Sequence, residues 1–343
     1  MKHIGLDLHS TTSVATVLND RGRKILRRQM PTREFDLIDF MRSVPGPKRV
    51  ALEESQLADF VTRVITPYVT EVIRCQPQYN RLISESENKC DKEDSHTLAE
   101  LLYLNKLKSV HHPAWEYRQL REAVRAYWTA SRELTREKNR LKACFLFNGI
   151  HCEGEKVYSR RYRESYRERV HRRCGNLNLL DLHYKVLDFC RDRKAEHVRV
   201  LRKLAGPFEE EVGWLKSIPG IGSIGAYTIL AYLENGWRLP NKRKLWQYCG
   251  IGIRKRESAG KGHKSASRKG NRYLKNALMT AASAIAAKRV ADNALTQGWQ
   301  DGIAASVASD RLRRNLARKV AVLAQHLLRF KEQYDDERVV ATQ

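Results

Sequence analysis

Residues 3–10, H-I-G-L-D-L-H-S, set one ionisable acid, Asp7, inside a short apolar run. Ile4, Leu6 and Leu8 alternate along it and S-V-A-T-V-L follows at 13–18, so the spacing predicts a strand turning into a hairpin. An ionised carboxylate in a core strand is costly unless it is hydrogen-bonded, paired with a cation or bound to metal. The strand alone leaves all three open.

The 343 residues, 42% of them hydrophobic, suffice for two packed domains. Lys and Arg number 64 against 39 Asp and Glu, a formal charge of +25. Such an excess is balanced by an anionic partner or endured as self-repulsion, and nucleic acid is the leading candidate. No apolar run approaches the roughly 20 residues of a membrane span, so the reading is a soluble, cytoplasmic protein without a membrane partner. Seven scattered cysteines without a C-x-x-C pair argue against a zinc ribbon or a disulfide framework.

Along the chain, further strands are predicted at 24–30, 49–52 (running into Glu53 and Glu54) and 69–75, with helices at 35–41, 57–65 and from about 95. This order predicts an α/β domain with a mixed sheet over residues 1–112. Asp91 and Asp94, at the entry to the last helix, share one side of its first turn unless one of them simply caps it. Residues 113–208 read as a helical linker or dimerisation arm, or a solvated helical hairpin, with long charged helices at 115–147 and 177–204. Between these helices Arg160, Arg161, Arg163 and Arg167 interleave with Tyr162 and Tyr166, which suits phosphate clamping and base stacking better than a solvated face.

Residues 209–343 read as a mainly α domain. Its S-I-P-G-I-G turn at 217–222 resembles a helix-hairpin-helix module, in which Gly220 and Gly222 would let backbone N–H groups approach a phosphate; a tight turn between core helices serves equally well. From 254 to 271 no apolar period exists, and a long irregular loop is expected. There Ser258, Ser265 and Ser267 stand among Arg254, Lys255, Arg256, Lys261, Lys264, Arg268 and Lys269, groups able to hold a phosphodiester under attack by a hydroxyl.

In a ribonuclease-H-like sheet, Asp7, Glu53, Asp91 and Asp94 can converge to bind two Mg²⁺ (or Mn²⁺) ions about 3.5 to 4 Å apart and drive phosphodiester displacement. The ordered set G-L-D-L-H-S, V-A-L-E, K-C-D-K-E-D, S-I-P-G-I-G, R-E-S-A-G and S-R-K-G-N-R-Y-L resembles the DEDD-type insertion-sequence transposases. That family, which includes the pilin-gene DNA invertases, joins a RuvC-like N-terminal domain to a C-terminal transposase domain. The resemblance implies a metal-binding tetrad of Asp7, Glu53, Asp91 and Asp94, and Ser258 as the nucleophile that links covalently to DNA. It also implies donor and target DNA paired by a noncoding bridge RNA, a dimer or tetramer in which the acids of one subunit meet the serine of another, and a nucleoid-associated prokaryotic setting.

This chain departs from the family at two points. Glu54-Ser55-Gln56 follows Glu53 where the family has small-Thr-Gly; Glu53 is preferred because it follows V-A-L and strand alternation turns Glu54 to the other face. Ala259 separates Ser258 from Gly260, which leaves Ser265 and Ser267 as fallback nucleophiles. Two rival readings are a RuvC-like junction nuclease that uses water and forms no covalent intermediate, and a non-catalytic nucleic-acid-binding protein whose acids are caps and ion pairs.

Overall fold

The computed structural model describes residues 1–76, 91–152, 154–258, 261–266 and 270–337, with the backbone alone at 91–93, 254–258 and 261–266. The chain divides into two units, Met1–His112 and Pro113–Gln343.

The first unit contains β1 (Lys2–Leu8), β2 (Thr12–Leu18), β3 (Lys24–Pro31), α1 (Glu34–Ser43), β4 (Lys48–Glu53), α2 (Ala58–Ile65), β5 (Glu71–Cys75) and α3 (Asp91–Tyr103). Its strands lie in the order β3-β2-β1-β4-β5. β1/β2 and β2/β3 are antiparallel, whereas β1/β4 and β4/β5 are parallel. Alternation divides each central strand between two cores. Ile4, Leu6, Val50 and Leu52 meet Leu37, Phe40 and Met41 of α1 and Val61 and Ile65 of α2. Ala51, on the opposite face, meets Leu98, Leu101 and Leu102 of α3. Only Met30 of β3 is buried, and Lys24, Arg27 and Arg28 along this edge oppose pairing with a foreign strand.

α3 rests on β1 through backbone. A Cβ on Gly5 would stand 2.0 Å from the Ser95 carbonyl oxygen and 2.5 Å from the Ala99 nitrogen. Beside it, the buried Ser95 hydroxyl hydrogen-bonds Thr16 of β2 at 2.9 Å. These contacts fix both the height and the register of the helix.

The second unit opens with α4 (Trp115–Phe147), α5 (Arg163–His171) and α6 (Leu177–Ala205). α4 and α6 pack along each other as an arm. At one end Leu141, Phe145, Val157, Val170, Leu180 and Leu187 form a small core of their own. At the other, Leu120, Val124 and Leu201 join the main helical core. That core is completed by α7 (Glu209–Ser217), α8 (Ser223–Leu233), α9 (Lys242–Tyr248), α10 (Arg272–Ala286), α11 (Ala294–Ala304) and α12 (Ser309–Phe330). α8 is buried continuously from Ala226 to Leu233. The side chains of Asn241, Asn271 and Asn293 cap α9, α10 and α11, which accounts for where these helices begin.

One expectation is corrected here. Within the stretch read as an irregular loop, β6 (Ile253–Ser258) and β7 (Lys261–Ala266) form a two-stranded antiparallel hairpin, with Ser258 opposite Lys261. Among the described residues no helix is long and apolar enough to cross a membrane. A mixed five-stranded sheet followed by long helices and a mainly helical C-terminal region is a RuvC-like α/β domain joined to a helical one.

Candidate active site and nucleic-acid contacts

β1 and β4 run parallel with Leu6 opposite Leu52. Asp7 and Glu53, each one residue further on, therefore lie side by side, Glu53 at the end of β4 and Asp7 one residue short of the end of β1. Alternation sets both on the face that carries Gly5 and Ala51, beneath α3. The Asp7 side chain is 14% exposed, with Oδ2 3.0 Å from His9 Nε2. Glu53 is half-buried, and its Oε1 is shielded from solvent.

The direction of α3 brings its acids to the same end. Tyr103 meets His3 edge-on at 5.4 Å between ring centroids. Ser95 and Ala99 sit on Gly5. The helix thus runs antiparallel to β1, and its first turn falls toward Asp7. It begins at Asp91, so Asp94 lies within the helix rather than in a loop ahead of it, where the N-terminal dipole favours acids. Asp94 is half-buried, while the side chain of Asp91 lies outside the described residues. Among the described residues no three His, Cys, Asp or Glu side chains are gathered into a metal-binding group. Asp7 and Glu53 are carboxylates, hard oxygen donors of the kind that fit Mg²⁺ or Mn²⁺.

Glu54 is engaged elsewhere. Arg74, 4% exposed, donates to it through Nε at 3.0 Å and Nη2 at 2.7 Å, and also pairs with Asp59 of α2. This triad belongs to the α2 side of the sheet.

The arginines read as phosphate clamps divide into two kinds. Arg163 donates to both oxygens of Asp188, at 2.7 and 2.5 Å, and lies over the Tyr184 ring at 4.5 Å. That hydrogen bond holds the Asp188 carboxyl below its ordinary value of 3.8. Arg167 reaches Asp181 at 3.2 Å. Both arginines tie α5 to α6. Arg160 is exposed, with Asp188 at 3.3 Å, and the exposed Arg161 lies over the Tyr162 ring. Tyr166 packs on Phe145 at 5.2 Å beneath Arg169, so its ring is part of the arm.

Gly220 has φ +84°, and a Cβ on it would meet the Ala281 carbonyl oxygen at 2.7 Å. The turn thus serves to seat α7 and α8 against α10. Gly222 is the N-cap of α8 and has open space around it. In the hairpin, Arg254, Lys255, Arg256 and Ser258 belong to β6 and Lys261, Lys264 and Ser265 to β7, whereas Ser267, Arg268 and Lys269 lie outside the described residues.

Sequence reasoning missed Glu137, which is 2% exposed and bonded to His183 Nδ1 at 2.6 Å. A signal was present. Leu134, Glu137, Leu141 and Phe145 fall at helical spacing, so an acid occupies an apolar position.

Strand-end carboxylates beneath an acid-bearing helix, in a RuvC-like unit followed by a helical one on a chain of charge +25, fit the class of enzymes that act on nucleic acid, and the family models narrow that class to DNA transposases. The family model for DEDD-type IS110 transposases matches residues 4–148, and the one described as the transposase IS116/IS110/IS902 family matches 213–297. With both segments present, over about two thirds of its length, the chain belongs to the IS110-type transposases. No curated protein matches it.

Proposed function

We propose that the chain is an insertion-sequence recombinase that cleaves and rejoins DNA with a Mg²⁺-binding tetrad, Asp7, Glu53, Asp91 and Asp94, and a serine nucleophile, Ser258. In this reading a noncoding bridge RNA selects donor and target DNA, and a dimer or tetramer completes each site. The observation that carries the proposal is the antiparallel seat of α3 on β1, which directs the helix acids toward the strand-end pair Asp7 and Glu53. Glu53 rather than Glu54 is the tetrad glutamate, because Glu54 is held by Arg74.

Asp7, Glu53, Asp91 and Asp94 would hold the divalent metal. Divalent metal of the kind DEDD transposases typically use would supply charge stabilisation at the phosphate and the departing oxygen. Ser258 ends β6 at the hairpin turn, opposite Lys261. Its Oγ gives up a proton and attacks phosphorus; the bond to the outgoing strand breaks, and that strand leaves as a hydroxyl after taking up a proton. Attack by an incoming strand hydroxyl reverses the link and frees the serine. Arg254, Lys255, Arg256, Lys261, Lys264, Arg268 and Lys269 would neutralise the phosphates, together with Arg160 and Arg161, so binding weakens steeply with salt.

The test is to trap a denaturation-resistant protein–DNA adduct on cognate DNA and RNA with Mg²⁺. It should form with the wild type and vanish in Ser258→Ala and Asp7→Asn. Metal-dependent cleavage that persists in Ser258→Ala points to a junction nuclease instead. Binding without cleavage, indifferent to metal and to Asp7→Asn, reduces the protein to a non-catalytic binder.

A further inference from the structure

At the outer end of the arm, a cavity of about 870 Å³ opens between the end of α4, the loop after α5 and the start of α6. One wall is cationic. Glu137, almost wholly buried, accepts from His183 Nδ1 at 2.6 Å and from Arg140 at 3.2 Å. A carboxylate buried so deeply is costly unless its partners need it, and here it fixes two cationic or polar groups that line the cavity. With Nδ1 engaged, His183 keeps Nε2 for a ligand. Arg173 also lines the cavity and makes no ion pair among the described residues. Its Nη1 lies 3.6 Å from where a Cβ would stand on Gly149, whose φ of +68° turns the backbone with no side chain in the way. The other wall is apolar: Phe147 is 92% exposed and Leu179 is 46% exposed.

We propose that this cavity binds one unpaired nucleotide of a nucleic-acid strand, with its phosphate on Arg140, Arg173 and His183 Nε2 and its base against Phe147. The pairing of guanidinium groups with an exposed aromatic face is the chemistry that holds single strands, and the volume lies within the range of sites for small ligands. An apolar partner is disfavoured by the cationic wall. Yet Leu179 also begins an exposed stripe with Leu182, Val186 and Phe189, so a second copy of the chain is the competing occupant. The inference rests on the reading of the protein as a nucleic-acid enzyme but not on the serine or metal chemistry.

The experiment measures fluorescence anisotropy of labelled 12-nucleotide single-stranded RNA and DNA with the full chain, without Mg²⁺, across a salt series. Arg173→Ala should weaken binding and lower the logarithmic salt slope by roughly 0.7, the value for one lost contact to a single strand. Phe147→Ala should weaken it about ten-fold with the slope unchanged, as expected for a lost stacking face. A larger loss on the RNA arm assigns the nucleotide to RNA, and on the DNA arm to an extruded DNA base. Single-strand binding equal to wild type in both variants overturns the proposal. So does a change in sedimentation of Phe147→Ala with strand binding intact, which gives the surface to a second copy. Because no cleavage is read, failure of the covalent mechanism leaves this result interpretable.

Discussion

Replacing Gly5 with alanine tests whether the acid face depends on backbone contact between α3 and β1. The new methyl would stand 2.0 Å from the Ser95 carbonyl oxygen, 2.5 Å from the Ala99 nitrogen and 2.9 Å from Leu98 Cβ. Two of these are backbone atoms of one helix, so relief requires α3 to lift bodily by roughly 1 to 1.5 Å toward ordinary contact distance. Overpacking of this kind costs about 1 to 3 kcal/mol. Lifting also breaks the buried Ser95–Thr16 hydrogen bond, and the stranded hydroxyls add about 1 to 3 kcal/mol. We therefore expect the first unit to lose about 2 to 6 kcal/mol, which at a urea m-value of about 1.5 kcal/mol/M lowers its midpoint by roughly 1.3 to 4 M. All six tryptophans lie between 115 and 299, so their fluorescence reports the second unit and serves as an internal reference. Amide hydrogen exchange in β1 and β4 reports the first. An exchange-derived stability within about 0.5 kcal/mol of wild type would falsify the argument, because it would mean that α3 does not bear on Gly5 as described.

Two further expectations concern the same unit. Glu54→Gln should cost about 1 to 2 kcal/mol by weakening the hold on buried Arg74 while leaving adduct formation intact, whereas Glu53→Gln should abolish the adduct at little cost in stability; the reverse pattern, read by the adduct assay and urea denaturation, reassigns the tetrad glutamate. Burial first, and then the positive charge of Arg49, lower His3 from its ordinary 6.5. The unfolded chain then takes up this proton near pH 6.5 and the folded chain only at lower pH, so the His3 contribution is complete above 6.5 and is lost as pH falls through the folded value. Exchange-derived stability from pH 7.5 to 5 should decline less in His3→Gln than in wild type, and equal decline refutes the assignment.

The strands of the first unit were readable because each central one buries two faces, and apolar alternation records that directly in Ile4, Leu6, Val50 and Leu52. The β6/β7 hairpin was not, since the apolar period that betrays a strand is missing between 254 and 271. Arg163 and Arg167 looked like phosphate ligands because a basic run does not reveal that its counter-charges, Asp188 and Asp181, arrive from the next helix. Gly220 answers a demand for close backbone approach, as its turn suggested. The neighbour is the Ala281 carbonyl, and a local sequence pattern has no means of naming a contact some 60 residues away. Asp7 was legible for the opposite reason, because an acid among alternating apolar residues is conspicuous before any partner is known.

The hydrogen bond between Thr16 and Ser95 spans 79 positions of chain. Asp7 precedes in the chain the helix α3 that packs on its strand, and α3 ends only at Tyr103. The helix acids proposed to join the strand carboxylates therefore cannot approach them until this long-range closure is made, a slow kind of contact in folding. A fragment ending before Asp91 would therefore carry Asp7 and Glu53 without Asp91 and Asp94, the partners proposed for them, whatever else it folded.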